Sequence, residues 1–338
     1  MADDRPRPYE GLTPDTVLDA LESAGLRGDG RLLALNSYEN RVYQVSLEDG
    51  GGGTGAASSP DAVVAKFYRP ARWSDAQILE EHAFGAELAE REIPVVAALV
   101  LAGKTLHEYQ GFRFAVYARR GGRPPELEDE SVLEWIGRFL GRIHAVGATR
   151  RFKERPALNV ETFGTEPRDW LLASGLIPPD LRDVWAGVAD EALQRASLCF
   201  SQAGTLKDIR LHGDCHAGNI LWTHDGPHFV DLDDARSGPA VQDLWMLLAG
   251  DRETAARQLR SLLAGYEKFH DFDRSQLLLV EALRTLRLVH YSAWLARRWE
   301  DPAFPAAFPW FGTPRYWQDR ILELREQTSA MDEPPLQV

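Results

Sequence analysis

Two short apolar runs separated by a turn constrain the fold of this chain more than any other feature. Residues 220–222 (Ile-Leu-Trp) and 229–230 (Phe-Val) flank the tripeptide Asp-Gly-Pro at 225–227, which is typical of a turn. The pattern predicts a β-hairpin. Residues that precede its first strand and follow its second should therefore lie at one end of the hairpin.

The predicted hairpin is flanked by three side chains that carry oxygen: Asp214, Asn219 and Asp231. In a phosphoryl-transfer site, one carboxylate accepts the proton of the attacking hydroxyl, while an amide oxygen and a second carboxylate hold Mg²⁺ against the nucleotide phosphates. We therefore interpret the chain as a kinase, with Asp214 as the base and Asn219 and Asp231 as the metal ligands. By itself, Asp214 could equally be a turn residue.

A second interpretation of the same segment is a metal site built from His212, Asp214, Cys215 and His216. Four ligands at a recognised zinc spacing are missing, and the chain has no second Cys pair. We therefore expect Cys215 and His216 to shape the loop. We also expect the His212 ring to form a hydrogen bond with the backbone of the loop and so to hold its shape.

The length and the net charge of the chain limit the kinds of fold and of partner that it can have. The chain has 338 residues, enough for two lobes with substantial cores, and a net charge of -13 with a pI of about 5.2. This charge disfavours nucleic acids and anionic membranes as partners. The two cysteines suit reduced thiols, and we see neither a signal peptide nor an apolar span. We expect a soluble, cytoplasmic monomer.

The first third of the chain carries most of the predicted strands. After a short helix that begins at Thr13-Pro14, strand-like runs cover 31–35, 41–45, 62–67, 95–102, 105–109 and 112–117, with a helix over 75–91. The Gly-rich stretch 49–60 is expected to be a flexible connection. Beyond 119–124 the chain is predicted to be mostly helical. The sequence thus predicts an α+β, two-lobed fold: a β-rich nucleotide-binding lobe over 1–119 and an α-helical catalytic and substrate lobe over 120–338.

Lys66 lies in the predicted strand 62–67, among Val, Ala and Phe. A Lys in an interior strand needs an anion, because burying an unpaired charge is costly. We interpret Lys66 as a ligand of the α- and β-phosphates, held by Glu80 or Glu81 of the next helix. The alternative is a strand Lys that faces solvent.

The segment 36–40 between the first two strands contains no Gly, whereas a loop that covers phosphates is normally Gly-rich. Ser37 could offer its hydroxyl and amide to a phosphate, and Asn36 and Asn40 tolerate turn geometry. The segment could equally be an ordinary polar hairpin, and the sequence leaves both possibilities open.

Further acidic residues follow Asp231. Asp233 is expected to bind a second ion or a water, and Asp234 to be a solvated loop residue. Asp243, at or near the start of a very apolar helix, is expected either to cap that helix or to reach back to the amides of the loop around Asp214.

Together these motifs resemble the aminoglycoside phosphotransferase and choline kinase-like superfamily and, within it, the bacterial stress response kinase A family. The resemblance is carried by residues 212–219 and 229–234, and the narrower match by residues 35–44, 66–70, 78–82, 238–248, 301–305 and 333–337. The resemblance covers nearly the whole chain, although the Gly-rich insertion at 50–55 departs from the family pattern.

This resemblance implies a protein-kinase-like fold and ATP-dependent phosphorylation of Ser and Thr in acceptor proteins, with autophosphorylation and a role in envelope or oxidative stress. It implies Asp214 as proton acceptor, Asn219 and Asp231 as Mg²⁺ ligands, and Ser37 at the ATP site. The family spacing before Ile93-Pro94 selects Glu81 over Glu80 as the partner of Lys66.

Two other functions use the same features. One is a kinase for a small hydroxyl compound such as an amino alcohol, a sugar or an antibiotic, with an acceptor pocket built from the Trp- and Arg-rich stretch 291–299 and the aromatic residues 308–311. The other is a nucleotide-binding scaffold without catalysis, which the joint presence of Lys66, Asp214, Asn219 and Asp231 argues against.

Overall fold

The structure is a computed structural model that describes residues 8–35, 37–48 and 61–338. In chain order its helices and strands are α1 (Pro14–Ser23), β1 (Gly28–Ala34), β2 (Arg41–Leu47), β3 (Ala62–Phe67), α2 (Asp75–Glu90), β4 (His107–Tyr109), β5 (Phe112–Ala118), α3 (Glu130–Gly147), α4 (Glu166–Ser174), α5 (Pro179–Ala203), β6 (Ile209–Leu211), β7 (Ile220–Thr223), β8 (Gly226–Phe229), β9 (Arg236–Gly238), α6 (Val241–Trp245), α7 (Arg252–Tyr266), α8 (Val280–Ala296), α9 (Ala303–Ala307) and α10 (Pro314–Ala330).

The chain divides into two compact units. The first comprises the described residues of Met1–Arg123 together with Leu221–Asp233, and the second comprises Pro124–Ile220 and Asp234–Val338. The segment 221–233 belongs to the first unit because Trp222 bridges Arg123 and Phe229 bridges Val95. The predicted domain boundary at 119/120 stays a prediction. No helix in the described part of the chain is both long and apolar enough to cross a bilayer.

An antiparallel sheet of order β1-β2-β3-β5-β4 forms the frame of the first unit. The central strand β3 pairs with β2 and β5, so that Lys66 lies opposite Val42 on one side and Ala115 on the other. Apolar side chains of α1 and of the sheet form one buried core. Helix α2 begins with a capping box of Ser74 and Gln77. The predicted strands 31–35, 41–45, 62–67 and 112–117 and the helix 75–91 are confirmed within a few residues.

The predicted strand 95–102 is wrong. Its residues make only isolated bridges, from Val95 to Phe229, from Ala98 to Tyr117 and from Leu101 to Lys104. Ala102 has a positive φ of 47°, which turns the chain back on itself. The segment therefore crosses its neighbours instead of running along one of them, although its apolar residues resemble those of a strand. The predicted strand 105–109 is shorter than expected, and the Gly-rich stretch 49–60 lies outside the described residues.

In the second unit, α3 and α7 pack closely because each helix has a glycine that faces the backbone of the other helix. A Cβ at Gly137 would lie 2.0 Å from the carbonyl oxygen of Leu262, and one at Gly265 would lie 1.9 Å from that of Glu134. The backbones of the two helices are therefore in direct contact. A separate cluster of buried aliphatic and aromatic residues joins α4, α5, α8 and α10. The α+β class, with strands concentrated in the first unit and helices in the second, is confirmed.

Candidate active site

The proposed base Asp214 lies in the second unit, in the loop between β6 and a 3₁₀ turn at Ala217–Asn219. Arg287 Nη1 on α8 donates a hydrogen bond of 2.8 Å to Asp214 Oδ1, and His216 Nε2 lies 3.5 Å from Oδ2. Burial by itself would raise the pKa of Asp214, but the hydrogen bond of His216 and the charge of Arg287 outweigh it and lower the pKa. The carboxyl group is therefore ionised at neutral pH and able to accept a proton.

Asp243 on α6 anchors this loop. Its Oδ2 accepts a hydrogen bond of 2.8 Å from the amide of His212, and its Oδ1 accepts one of 2.9 Å from the amide of Gly213. His144 Nε2 lies 3.0 Å from Oδ2, and His144 Nδ1 lies 3.0 Å from the hydroxyl of Tyr266. Asp243 and His144 are fully buried. Of the two roles expected for Asp243, contact with the loop amides is confirmed, and capping is not seen because Asp243 lies inside the first turn of α6.

Gly213 is required by the geometry of the loop. Its φ is +87°, and a Cβ there would lie 2.1 Å from the carbonyl oxygen of Asp234. Both facts exclude a larger residue, because only glycine adopts this backbone conformation freely and leaves room for such an approach. The residue before the proposed base is therefore fixed by sterics.

The other loop side chains orient the backbone. Asn219 Nδ2 donates to the backbone oxygen of Asp214 at 2.9 Å, which leaves the amide oxygen of Asn219 for another partner. His212 Nδ1 accepts a bond from the Asp214 amide at 3.4 Å, and His216 Nδ1 accepts one from Gly218 at 3.0 Å. The expectation that both histidines shape the loop is confirmed. Cys215 is buried, which raises the pKa of its thiol.

In the first unit, the ammonium group of Lys66 is buried among acidic groups. Lys66 is only 6% exposed, and its Nζ lies 2.8 Å from Asp231 Oδ1 and 3.2 Å from Asp233 Oδ1. Burial by itself would lower the pKa of Lys66, but the two carboxylates outweigh it and hold the pKa well above its usual value. The solvent-facing alternative for Lys66 is therefore wrong, and the prediction that it needs an anion is confirmed.

The predicted pair between Lys66 and Glu81 is not formed in this structure. Glu81 is buried on α2 and its negative charge helps to raise the pKa of Lys66, whereas Glu80 is half-buried. The ammonium contacts Asp231 and Asp233 instead. The role of Glu81 at a nucleotide stays a prediction.

Asp233 is the hub of this cluster and is only 3% exposed. It accepts from Asn40 Nδ2 at 3.2 Å, forms an ion pair with Arg72, and contacts Lys66. These contacts hold the carboxylate of Asp233 in place, and the expectation that it binds a second ion or a water stays a prediction. Asp234 is not the solvated residue that we expected, because its carboxylate accepts a hydrogen bond of 2.6 Å from Arg236.

Asp231, in contrast, is accessible. Its side chain is 51% exposed, and its φ of +61° is unusual for a residue other than glycine. A backbone held in this region costs on the order of 1–3 kcal/mol, and such positions cluster at functional sites. This conformation follows β8, whose last residue is Phe229, so Asp231 lies just beyond the strand and not within it.

Ser37 is half-buried at the edge of the loop that precedes β2. That loop is anchored at Asn40, whose Oδ1 accepts from the Arg69 amide at 3.0 Å, and at Glu39, whose carbonyl oxygen accepts from the Tyr9 hydroxyl at 2.9 Å. Asn36 lies outside the described residues. The assignment of Ser37 to the ATP site stays a prediction.

A buried polar network beside Lys66 was not predicted from the sequence. The Tyr68 hydroxyl lies 2.7 Å from His82 Nε2 and 2.9 Å from the Tyr117 hydroxyl, and His82 Nδ1 lies 2.8 Å from Thr105 Oγ1. These contacts join α2, which carries Glu81, to the strands of the sheet. The sequence signal for this network was that Tyr68 lies two positions after Lys66 and that His82 directly follows Glu81.

A pocket of about 580 Å³ opens in the second unit beside the base. It is lined by Trp245, Arg284, Arg287, Leu288, Tyr291, Glu323, Glu326 and Gln327. Arg287 also bonds to Asp214, so the pocket adjoins the proposed base. Of the stretches 291–299 and 308–311, which we expected to build an acceptor pocket, Tyr291 lines this one, and the role of the others stays a prediction. The Trp294 ring packs against Phe304 and Phe308, with centroids 5.1 and 6.0 Å away, so these aromatic residues serve the core.

Comparison with known proteins agrees with this description. The profile of a family described as "Phosphotransferase enzyme family" matches residues 31–280. The chain is 46% identical over 330 residues to stress response kinase A of Escherichia coli (strain K12), covering 98% of this chain and 97% of that protein. It is 45% identical, with the same coverage, to serine/threonine protein kinase RdoA of Salmonella typhimurium (strain LT2).

A solved structure shows a similar fold. The amicoumacin kinase hAmiN, in complex with AMP-PNP, Ca²⁺ and Ami, superposes with a TM-score of 0.69 over 95% of this chain and 94% of that one, at 19% identity. The sequence matches extend over nearly the whole chain and include the segments that hold Lys66, Asp214 and Asp231. The chain therefore belongs to the phosphotransferase enzyme family and, within it, to the stress response kinase A family.

Proposed function

We propose that this phosphotransferase is a MgATP-dependent Ser/Thr protein kinase that also phosphorylates itself and acts in a bacterial stress response. The relatives named above support the acceptor class and the stress role. The single observation that carries the chemistry is the carboxylate of Asp214, which Arg287 contacts and which lies on a loop that buried hydrogen bonds fix in place. From composition alone, we further propose a cytoplasmic monomer whose partners are proteins and not nucleic acids or membranes.

Asp214 acts as the general base in this proposal. Its Oδ1 is bonded to Arg287, and its Oδ2 is the oxygen that we assign to accept the proton of a Ser or Thr hydroxyl as that hydroxyl attacks the γ-phosphorus. The Nδ1 atom of His216 accepts from the Gly218 amide, so its Nε2 carries the ring proton toward Oδ2. Both neighbours therefore favour the ionised form of the base.

The donor set present in the chain fits Mg²⁺. The amide oxygen of Asn219 is left available by the bond that its Nδ2 makes, and the carboxylate of Asp231 is half-exposed. Hard oxygen donors of this kind are those that Mg²⁺ prefers. When bound, the ion would neutralise charge that develops on the phosphates. We assign Lys66 and Glu81 to the positioning of the α- and β-phosphates and Ser37 to the ATP site.

A transfer assay tests this proposal. Purified protein incubated with Mg²⁺ and γ-labelled ATP should label itself and a generic protein acceptor on Ser and Thr. Asp214→Ala should lose this labelling while its melting temperature stays within a few degrees of that of the wild type. Undiminished labelling by the variant would remove Asp214 as the base, and the absence of labelling by the wild type would remove the protein kinase assignment.

A second candidate is a kinase for a small hydroxyl compound, and the pocket of about 580 Å³ beside the base favours it. A cavity of this size falls within the usual range for small-molecule ligands. The two candidates share every catalytic residue, so only the acceptor separates them. Transfer of label to an amino alcohol or an aminoglycoside, with none to protein, would select the second candidate.

A further inference from the structure

The pocket beside the base holds two arginines whose charges are already paired. Arg287 bonds to Asp214, and Arg284 donates to Glu281 at 3.0 Å while its guanidinium group lies 5.7 Å from the centroid of the Trp245 ring. Each guanidinium group thus already has one carboxylate partner. The recognition properties of the pocket depend on its remaining groups.

Those remaining groups are hydrogen-bond acceptors on α10. Glu326 is exposed and has no ion pair among the residues that the structure describes. The side-chain oxygen of Gln327 is buried and accepts no hydrogen bond from any described residue. A buried acceptor without a donor is costly. The unmet requirement of the pocket is therefore for a group that donates hydrogen bonds.

A second acidic group also lines the pocket. Glu323 forms an ion pair with Arg320, yet burial raises its pKa, and the neighbouring charge of Glu326 adds to that rise although Arg320 opposes it. Glu323 already has Arg320 as its cation, so the exposed carboxylate of Glu326 is the acidic group left to pair with a ligand. A positively charged ligand would supply that partner.

The apolar part of the pocket suits a long cationic side chain. Leu288 offers an aliphatic surface, and Trp245 and Tyr291 offer aromatic rings. Lys and Arg side chains pack their methylene groups against such walls while the charged head reaches a carboxylate or an aromatic face. The net charge of -13 also draws cationic segments toward the protein.

We propose that this pocket binds a Lys or Arg side chain of the acceptor protein, near the Ser or Thr that receives the phosphoryl group. The inference rests on the proposed function, since it is Arg287 that joins the pocket to the base Asp214. It adds a specificity to that function. The enzyme prefers a Ser or Thr that has a basic residue close by, and Glu326 and Gln327 bind that basic residue.

Peptide kinetics test this inference. A Ser peptide is prepared in three forms that differ only by Arg, Gln or Glu, placed in turn at each of the three positions on either side of the Ser. At one of these positions the wild type should use the Arg form with a kcat/KM about five- to tenfold above that of the Gln form, as expected for a partly exposed ion pair with aromatic support.

Charge variants connect this preference to the pocket. Glu326→Gln should bring the Arg-to-Gln ratio near one, and Glu326→Lys should shift the preference to the Glu form. Asp183→Asn, exposed on α5 and outside the pocket, is the matched control and should keep the wild-type ratio. Glu326 is exposed, so equal melting temperatures are expected for all variants and will show that the fold is intact.

The outcomes separate the inference from the function on which it rests. Equal use of all three peptide forms, or an Arg preference that persists in Glu326→Lys, would overturn the inference and leave the protein kinase assignment standing. Transfer of label to an amino alcohol, with no peptide or protein labelled, would overturn the proposed function itself.

Discussion

Arg287 donates a hydrogen bond of 2.8 Å to the carboxylate of Asp214, although 73 positions separate the two residues in the chain. The bond holds the Oδ1 atom of Asp214, while His216 Nε2 lies 3.5 Å from its Oδ2. Because Arg287 also lines the neighbouring pocket, it connects the proposed base to the place where an acceptor would bind.

The first prediction concerns this pair. Arg287→Gln should lower kcat about tenfold because the carboxylate loses both orientation and a stabilising charge. The KM for ATP should stay near that of the wild type. Arg287→Lys should restore part of the lost rate, since the charge is kept. Arg315→Gln serves as control, because Arg315 is exposed and pairs with Asp319. An unchanged kcat in Arg287→Gln would show that the ion pair plays no part in catalysis.

The second prediction concerns the anchor of the loop. Asp243→Ala leaves the buried amides of His212 and Gly213 without an acceptor, so the free energy of unfolding should fall by about 3–5 kcal/mol. Urea denaturation measures this loss, and kcat should fall with it. Asp225→Ala, at an exposed turn, should change stability by less than about 0.5 kcal/mol. Similar midpoints for both variants would contradict the anchoring role.

The third prediction concerns the close contact of α3 and α7. Gly137→Ala places a Cβ 2.0 Å from the carbonyl oxygen of Leu262, so the helices must separate and the protein should lose about 2–4 kcal/mol. Gly187→Ala in α5 meets nothing within 4 Å and should be neutral or stabilise by up to about 1 kcal/mol. Thermal unfolding of the two variants measures the contrast, which would disappear if the helices could move apart freely.

The fourth prediction tests the choice of metal ligand. Asp231→Asn should weaken Mg²⁺-dependent nucleotide binding by at least tenfold, because a carboxylate ligand is lost. Asp234→Asn removes an acceptor from Arg236 and should affect binding much less. Isothermal calorimetry with a nonhydrolysable ATP analogue, with and without Mg²⁺, measures both. Equal losses in the two variants would reject Asp231 as the ligand.

Much of the fold could be predicted because its elements carry local signals. The strand 62–67 alternates little and is apolar except for Lys66, and the structure places it at the centre of the sheet. The error at 95–102 shows the limit of this signal, since apolar residues that cross several partners resemble those that run along one. The pair β6 and β9 was missed because strands of three residues are too short to show a period.

The sequence likewise identified some features of the candidate site and not others. Residue types and spacing identified Asp214, Asn219, Asp231 and Lys66 as candidates, and the loop contact of Asp243 was among the alternatives. The partners of these residues were harder to predict. Nothing near Asp214 in the sequence indicates Arg287, and Lys66 pairs with Asp231 and Asp233 across 165 or more positions because tertiary packing brings them together.

The fully buried carboxylate of Asp243 has a consequence for how active relatives are recognised from their sequences. A related protein can retain the short motif around Asp214 and still lack activity. The conformation of this loop depends on Asp243, which lies 30 positions after Gly213, and Asp243 in turn contacts His144 of α3. A sequence search that requires only the motif would count such inactive relatives as enzymes. A search that also requires Asp243 and His144 would exclude them.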